Sequence, residues 1–221
     1  VTADRLAALR SAAEALALPM ADAQADALLR YLDLIAKWNK VYNLTALRDP
    51  ADMLTHHVID SLAAVPPLLR YLQSMGKSGA RVLDVGAGAG LPGVVLALMH
   101  EGLQVHCVDT VAKKAAFVQQ AAAELELPNL RGVHARVESL EAGFDIVCSR
   151  AFASLPDFTQ WSRGALLPGA AWMAMKGKEP HDEIAALPAD VEVFHVEHLA
   201  VPGLQAERCL VWMRPAAEPL T

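Results

Sequence analysis

The stretch Arg81-Val-Leu-Asp84-Val-Gly86-Ala-Gly88-Ala-Gly90-Leu91-Pro-Gly93 constrains this chain more than any other. A short apolar run stops at a cluster of glycines and a helical pattern follows at once, so the segment reads as strand, tight turn and helix. Glycines let backbone approach a ligand closely, and the helix behind them presents N–H groups without partners of their own. Asp109 closes the next apolar run, 19 residues after Gly90, where a carboxylate can hold the two hydroxyls of a ribose. Together these features point to a nucleoside-containing cofactor.

The same grammar continues downstream. Strand-like runs at Val82–Val85, Gln104–Val108, Leu130–His134, Phe144–Cys148 and Ala170–Met175 alternate with helical patterns at Pro92–His100, Ala112–Leu125, Leu155–Leu166 and His181–Leu187. Such alternation predicts a parallel sheet with helices on both faces. After Leu187 the helices stop, and the runs Val191–Val196 and Cys209–Met213, joined across Pro202-Gly203, predict an antiparallel C-terminal edge. Residues 1–75 read as helical instead. Leu6, Leu9, Ala13 and Leu16 form one stripe, and Ala25, Leu28, Leu29, Leu32, Ile35 and Ala36 form a second. A third helix is expected from Asp49-Pro50 to Val65-Pro66-Pro67, with a turn-rich linker at Gln73–Gly79. The expected organisation is a helical N-terminal extension, 1–75, followed by a doubly wound α/β domain, 76–221.

Composition narrows the function classes. The chain has 221 residues, 54% hydrophobic and 20% charged, which excludes a disordered segment. Its net charge of −6 gives no general grip on nucleic acid, so any polyanion site must be a local patch. The longest nearly apolar run, Gly164 to Met175, has 12 residues, short of the roughly 20 that a spanning helix needs. Asp4, Arg5, Arg10 and Glu14 interrupt any signal-peptide core. The three scattered cysteines, Cys107, Cys148 and Cys209, write neither a disulfide framework nor a metal site. A protein of the reducing cytosol, with no membrane contact and no metal, is expected.

Dinucleotide and S-adenosylmethionine sites share this strand–loop–helix layout. Asp84 favours the second, because it stands two residues before the first glycine, where an NAD site is usually apolar. S-adenosylmethionine carries a sulfonium and an ammonium and no phosphate, so an acidic loop suits it. A phosphate-binding loop fails outright, since Gly76-Lys77-Ser78 has Tyr71 five residues before Gly76 where a glycine is required.

Further signatures surround the loop: Trp38-Asn39 with Asn43-Leu44-Thr45, His57-Val-Ile-Asp60-Ser61-Leu62, and Asp109-Thr-Val-Ala-Lys113-Lys114-Ala-Ala-Phe117. Arg136-Val137-Glu138, Ser149-Arg150-Ala151-Phe152-Ala153 and Lys176-Gly177 follow. In this order they resemble the RsmG (GidB) family over about residues 30 to 211. The resemblance implies a Rossmann-like class I methyltransferase with a helical N-terminal extension, using S-adenosylmethionine. It implies methylation of N7 of a guanine in 16S ribosomal RNA, guanine 527 of the 530 loop, with that RNA or the small subunit as partner and no obligate protein partner. Cofactor contacts are implied for Gly86, Leu91, Val137, Glu138 and Arg150, beside Asp84, Gly88 and Asp109 from the loop and its spacing. Cys107, Thr110 and the segment Glu207-Arg208-Cys209-Leu210-Val211 depart mildly from the family pattern.

Guanine N7 carries a lone pair and no proton, so an in-line methyl transfer needs orientation more than a general base. Arg150, at the end of the fourth strand, is the first candidate to hold cofactor, guanine O6 or a phosphate; the bland alternative is a surface arginine capping a helix. Lys176 stands as a phosphate contact or a solvated lysine. Cys148 reads as a buried thiol rather than a nucleophile. His195 and His198 fall on opposite sides of a strand and do not read as metal ligands. Lys113-Lys114 reads as a solvated face or an RNA contact. Trp38, Asn39 and Asn43 read as a base pocket or as caps and core, and His57 with Asp60 as a hydrogen-bonded pair on one helical face. A basic rim is available only if the fold gathers Lys37, Lys40, Arg48, Arg131, Arg136, Arg150, Lys176 and Arg208 around the cleft. A methyltransferase for protein or small molecules, an NAD-dependent oxidoreductase and a non-catalytic S-adenosylmethionine-binding regulator are the competing classes.

Overall fold

The computed structural model describes residues 2–216. Its strands are β1 (Ala80–Val85), β2 (Leu103–Asp109), β3 (Leu130–His134), β4 (Phe144–Arg150), β5 (Leu166–Lys176), β6 (Val191–His198) and β7 (Cys209–Pro215). They make one sheet in the order β3-β2-β1-β4-β5-β7-β6. The first five run parallel, while β7 pairs antiparallel with both β5 and β6. The connection direction reverses between β1 and β4, so a crevice opens beyond the C-terminal ends of these strands.

Between the strands lie α6 (Gly93–Met99), α7 (Ala112–Glu124), α8 (Leu155–Ser162) and α9 (His181–Ala185). Residues of β1 alternate between two cores, as the period of a strand requires. Val82 joins one with Val94, Phe117 and Ile146; Leu83 and Val85 join the other with Val147, Leu155, Phe158 and Trp172. The helix expected at Leu155–Leu166 stops earlier. Ser162 Oγ bonds back to Phe158 O and accepts Trp172 Nε1 at 2.9 Å, and a 3₁₀ turn at Arg163–Ala165 then delivers Leu166 into β5.

The N-terminal segment begins with α1 (Thr2–Ala15) and α2 (Asp22–Tyr42). Leu28, Leu32 and Ile35 of α2 are buried in the same core as Val82 and Val94, so this segment covers one face of the sheet. Gln24 Nε2 reaches the carbonyls of Leu98 (3.2 Å) and Met99 (3.4 Å), supplying donors to the C-terminal end of α6.

The next stretch corrects the single helix expected from Pro50 to Val65. It consists of α3 (Pro50–Met53), a π-helical turn (Leu54–Ile59) and α4 (Asp60–Leu62). Val65-Pro66-Pro67 does not end a helix but opens one, α5 (Val65–Ser74). Prolines are tolerated there because the first-turn N–H groups have no intrahelical partner to lose.

Because α2 and the sheet share one core, the chain is expected to unfold in a single transition. Leu28→Ala, at a site 0% exposed, is expected to cost about 2–5 kcal/mol. Denaturant melts should show signals from both segments moving together; two separated transitions would mean that the N-terminal helices fold on their own.

Candidate functional site

Two cavities meet at the C-terminal edge of the sheet and share Gly86 and Ala151. The first, about 420 Å³, is lined by the glycine loop together with Leu44, Thr45, His56, His57, Asp60, Arg150, Lys176 and Arg208. The second, about 380 Å³, lies between Asp109, Val137, Glu138, Phe152 and Trp161.

The glycine loop is held from beneath and left open above. Gly86 has φ +66°, and a Cβ there would stand 2.2 Å from Phe152 Cδ2, so only glycine permits this contact. A Cβ on Gly88 would meet nothing closer than Gly86 O at 4.0 Å, which leaves its outer side free for a ligand. Asp109 accepts the Gly88 N–H (3.1 Å) at Oδ2 and the Val111 N–H (2.8 Å) at Oδ1. Lys114 Nζ stands 3.8 Å from the same carboxylate. Each oxygen keeps a second acceptor site for a ligand hydroxyl. The Tyr31 hydroxyl of α2 donates to Ala89 O and lies 3.3 Å from Gly90 O, so the N-terminal helices brace the loop directly.

Asp84 differs from the expectation of an acidic cofactor pocket. It lines neither cavity; it is 0% exposed beneath the loop, and its Oδ2 accepts the Gly93 N–H at 2.8 Å. A Cβ at Gly93 would stand 2.9 Å from that oxygen, so Gly93 is needed for this approach. Any influence of Asp84 on a ligand therefore passes through the loop that it anchors. Burial keeps the thiols of Cys107 and Cys148, which share its neighbourhood, well above their ordinary range. Cys148 lines neither cavity.

The wall facing the loop is built by the π-helical turn. The Asp60 N–H bonds to Thr55 O and His57 O, while His56 O accepts Arg150 Nη1 at 2.7 Å. Asp60, 2% exposed, receives Arg150 Nη1 (2.9 Å) on Oδ2 and Arg208 Nε (2.8 Å) on Oδ1. The expected His57–Asp60 pair is therefore replaced, because two guanidiniums offer the carboxylate charge as well as hydrogen bonds. His57 Nε2 instead meets Thr45 Oγ1 at 2.8 Å. Burial, and then the Arg150 charge, lower its pKa to about 4, so the imidazole is neutral at pH 7.

Gly86, Gly88, Leu91, Arg150 and Lys176 line the first cavity, and Gly86, Asp109, Val137 and Glu138 line the second. Arg150 is a half-buried strut rather than a surface cap. Lys176 is neither solvated nor unpaired: its Nζ bonds to Ala153 O (2.9 Å) and Glu183 (2.7 Å). The expected basic rim gathers only in part. Arg150, Lys176 and Arg208 line the first cavity and Arg136 the second, but Arg131 lines a separate cavity beside Gln119 and Leu127. Trp38 packs on Phe117, while Asn39 caps Thr45 N and Leu47 O and Asn43 accepts from Arg48, so these three hold local structure. His195 and His198 face different carboxylates, Glu197 and Glu179. Trp161, on the rim of the second cavity, gave no signal in the sequence.

Burial, partly offset by the Gly93 N–H and by Arg150, raises the Asp84 pKa from 3.8 to about 7. The unfolded chain loses this proton first, so the folded state binds the extra proton between those values and loses stability as pH rises through that window. Asp84→Asn is expected to flatten the slope by an amount on the order of a few kcal/mol, measured in denaturant melts from pH 4 to 8. An unchanged slope would mean that Asp84 is already ionised in the folded state.

With this geometry in place, likeness to known proteins becomes informative. The family model for rRNA small subunit methyltransferase G matches residues 24–211. Ribosomal RNA small subunit methyltransferase G of Acidovorax ebreus is 64% identical over 215 residues, 95% of each chain. Its counterpart in Polaromonas naphthalenivorans is 61% identical over 210 residues, again 95% of each. Among solved structures, a 1,6-didemethyltoxoflavin-N1-methyltransferase of Burkholderia thailandensis, with S-adenosylhomocysteine bound, superposes with a TM-score of 0.56 at 18% identity. That match covers 90% of this chain and 92% of the other. A SAM dependent methyltransferase of Aquifex aeolicus gives 0.53 at 18% identity, covering 75% and 98%. These structures share the Rossmann-like methyltransferase fold, and the sequence matches decide the family: the chain belongs to the rRNA small subunit methyltransferase G family.

Proposed function

We propose that this chain transfers a methyl group from S-adenosylmethionine to N7 of a guanine in 16S ribosomal RNA, guanine 527 of the 530 loop, in the cytoplasm. The observation that carries the reading is the pair of cavities meeting at Gly86 and Ala151. The second offers the Asp109 carboxylate to a nucleoside, and the first joins the open backbone of the glycine loop to the cations Arg150, Lys176 and Arg208. No helix among the described residues is long and apolar enough to cross a membrane.

The residues present fit the donor. Asp109, fixed by two backbone N–H groups, would hold the ribose hydroxyls, and Val137 and Glu138 would line the adenine end of the site. Gly86, Gly88 and Leu91 would receive the methionyl portion against backbone, and Asp84 holds the loop in place from below. When bound, S-adenosylmethionine supplies a methyl on a sulfonium, which passes to the N7 lone pair as the carbon–sulfur bond breaks, with no proton lost.

The chain's task is then orientation. Arg150, clamped by Asp60 and His56 O, and Lys176, clamped by Glu183 and Ala153 O, are rigid positioning groups at the first cavity. Arg150 is the chain neighbour of Ala151, which lines both cavities. The neutral His57 adds no charge beside a guanine that becomes cationic.

Incubation with tritiated S-adenosylmethionine is expected to label 16S rRNA, offered as naked RNA and as small subunits from a strain lacking this methylation. The label should be recovered as 7-methylguanosine, and mapping should fix the nucleotide. Asp109→Ala is expected to weaken donor binding roughly tenfold or more in calorimetry, as loss of hydrogen bonds to a charged group would. Donor binding without label on either substrate would overturn the rRNA reading in favour of another acceptor or a regulator.

A further inference from the structure

The helix α8 carries two aromatic rings, and the core accounts for only one of them. Leu155, Phe158, Thr159 and Ser162 are buried and complete its inward face, whereas Trp161 is 38% exposed. An indole left in water forgoes the stabilisation that burial gives an aromatic side chain. Val41, Tyr42 and Met75, the other large hydrophobics exposed among the described residues, line neither cavity of the site. Trp161 lines the second.

The ring is held in place from behind. Its centre lies 5.9 Å from that of Phe152, with the two planes at 79°. Phe152 meets the buried Phe158 edge-on at 6.4 Å, and it stands so close to Gly86 that a Cβ there would be 2.2 Å from Cδ2. Phe152 and Trp161 thus line the same cavity as Asp109, Val137 and Glu138, a space of about 380 Å³. A base is joined to its ribose by one bond, so a nucleoside seated on Asp109 carries its base into this cavity. The flat faces of a purine stack on an aromatic side chain whatever polar groups its edges meet.

Resting on the donor reading above, we propose that Trp161 is a further donor-binding residue: its indole stacks on the adenine of S-adenosylmethionine, and Phe152 fixes the orientation of that indole. The contact holds the donor and takes no part in the transfer of the methyl group.

The test measures S-adenosylhomocysteine binding by calorimetry and by tryptophan fluorescence, and methyl transfer to rRNA at varied donor concentration. Trp161→Leu keeps an apolar side chain without a ring. It is expected to weaken S-adenosylhomocysteine binding roughly tenfold, as loss of one stacked base does, and to raise the donor KM by a similar factor while kcat holds. Trp161→Phe is expected to recover most of the affinity, because a flat ring remains. S-adenosylhomocysteine is expected to quench the fluorescence of the parent chain. The Trp161→Phe chain, which still binds, should lose that change, since Trp38, Trp172 and Trp212 line neither cavity. A Trp161→Leu chain that binds as tightly as the parent would overturn the assignment and leave the function standing. One that binds as tightly as Trp161→Phe would overturn it too, by making bulk rather than a ring the requirement. Quenching by an rRNA fragment and none by S-adenosylhomocysteine would give the indole to an acceptor base instead and sink the proposal. A parent chain that binds no S-adenosylhomocysteine would remove the donor reading itself, and this residue with it.

Discussion

Asp60 carries its charge into a place where it is almost wholly hidden from water, and isolated burial of that kind is costly. Two guanidiniums make it tolerable. They come from parts of the chain 90 and 148 residues away, one at the end of β4 and the other just before β7. The carboxylate thus ties the N-terminal helices to two separate strands of the sheet at the mouth of the first cavity. The π-helical turn completes the joint, because its altered hydrogen bonding leaves the His56 carbonyl to Arg150. Such turns interrupt regular helices where side chains or carbonyls must be re-aimed.

The glycine loop is governed by a second buried carboxylate with a different balance. Among the described residues Asp84 has no cation in hydrogen-bond contact; it accepts a backbone N–H deep in the fold, and burial lowers its acidity. From the side of α2, the Tyr31 hydroxyl donates to the Ala89 carbonyl. The loop is thus gripped by the sheet on one side and by α2 on the other, and its backbone is shaped before any ligand arrives. That suits the methyl transfer proposed above, which asks for orientation and no proton transfer.

Much of this was legible in the sequence because the signals are local. Strand and helix periods, the glycine run after β1 and the carboxylate at the end of β2 are patterns that neighbouring residues complete among themselves. What escaped depends on residues far apart. Nothing near Asp60 announces that its partners are Arg150 and Arg208, and the His57 three residues before it offered a plausible but mistaken partner. Asp84 misled for a related reason: its place beside the glycines suggested a ligand contact, while strand alternation turns it beneath the loop. Pro66 and Pro67 are compatible with either end of a helix, and only the packing of α5 decides between them.

The helix α2 is attached to the sheet domain at two points that bracket α6. Tyr31 holds the Ala89 carbonyl of the glycine loop, and seven residues earlier Gln24 holds the carbonyls of Leu98 and Met99. At about 1.5 Å per residue the two points lie roughly 10 Å apart along a stiff rod. The helix is then a splint. It spans α6 from the loop that opens it to the carbonyls that close it, so loop and helix keep their places relative to the N-terminal segment as one unit.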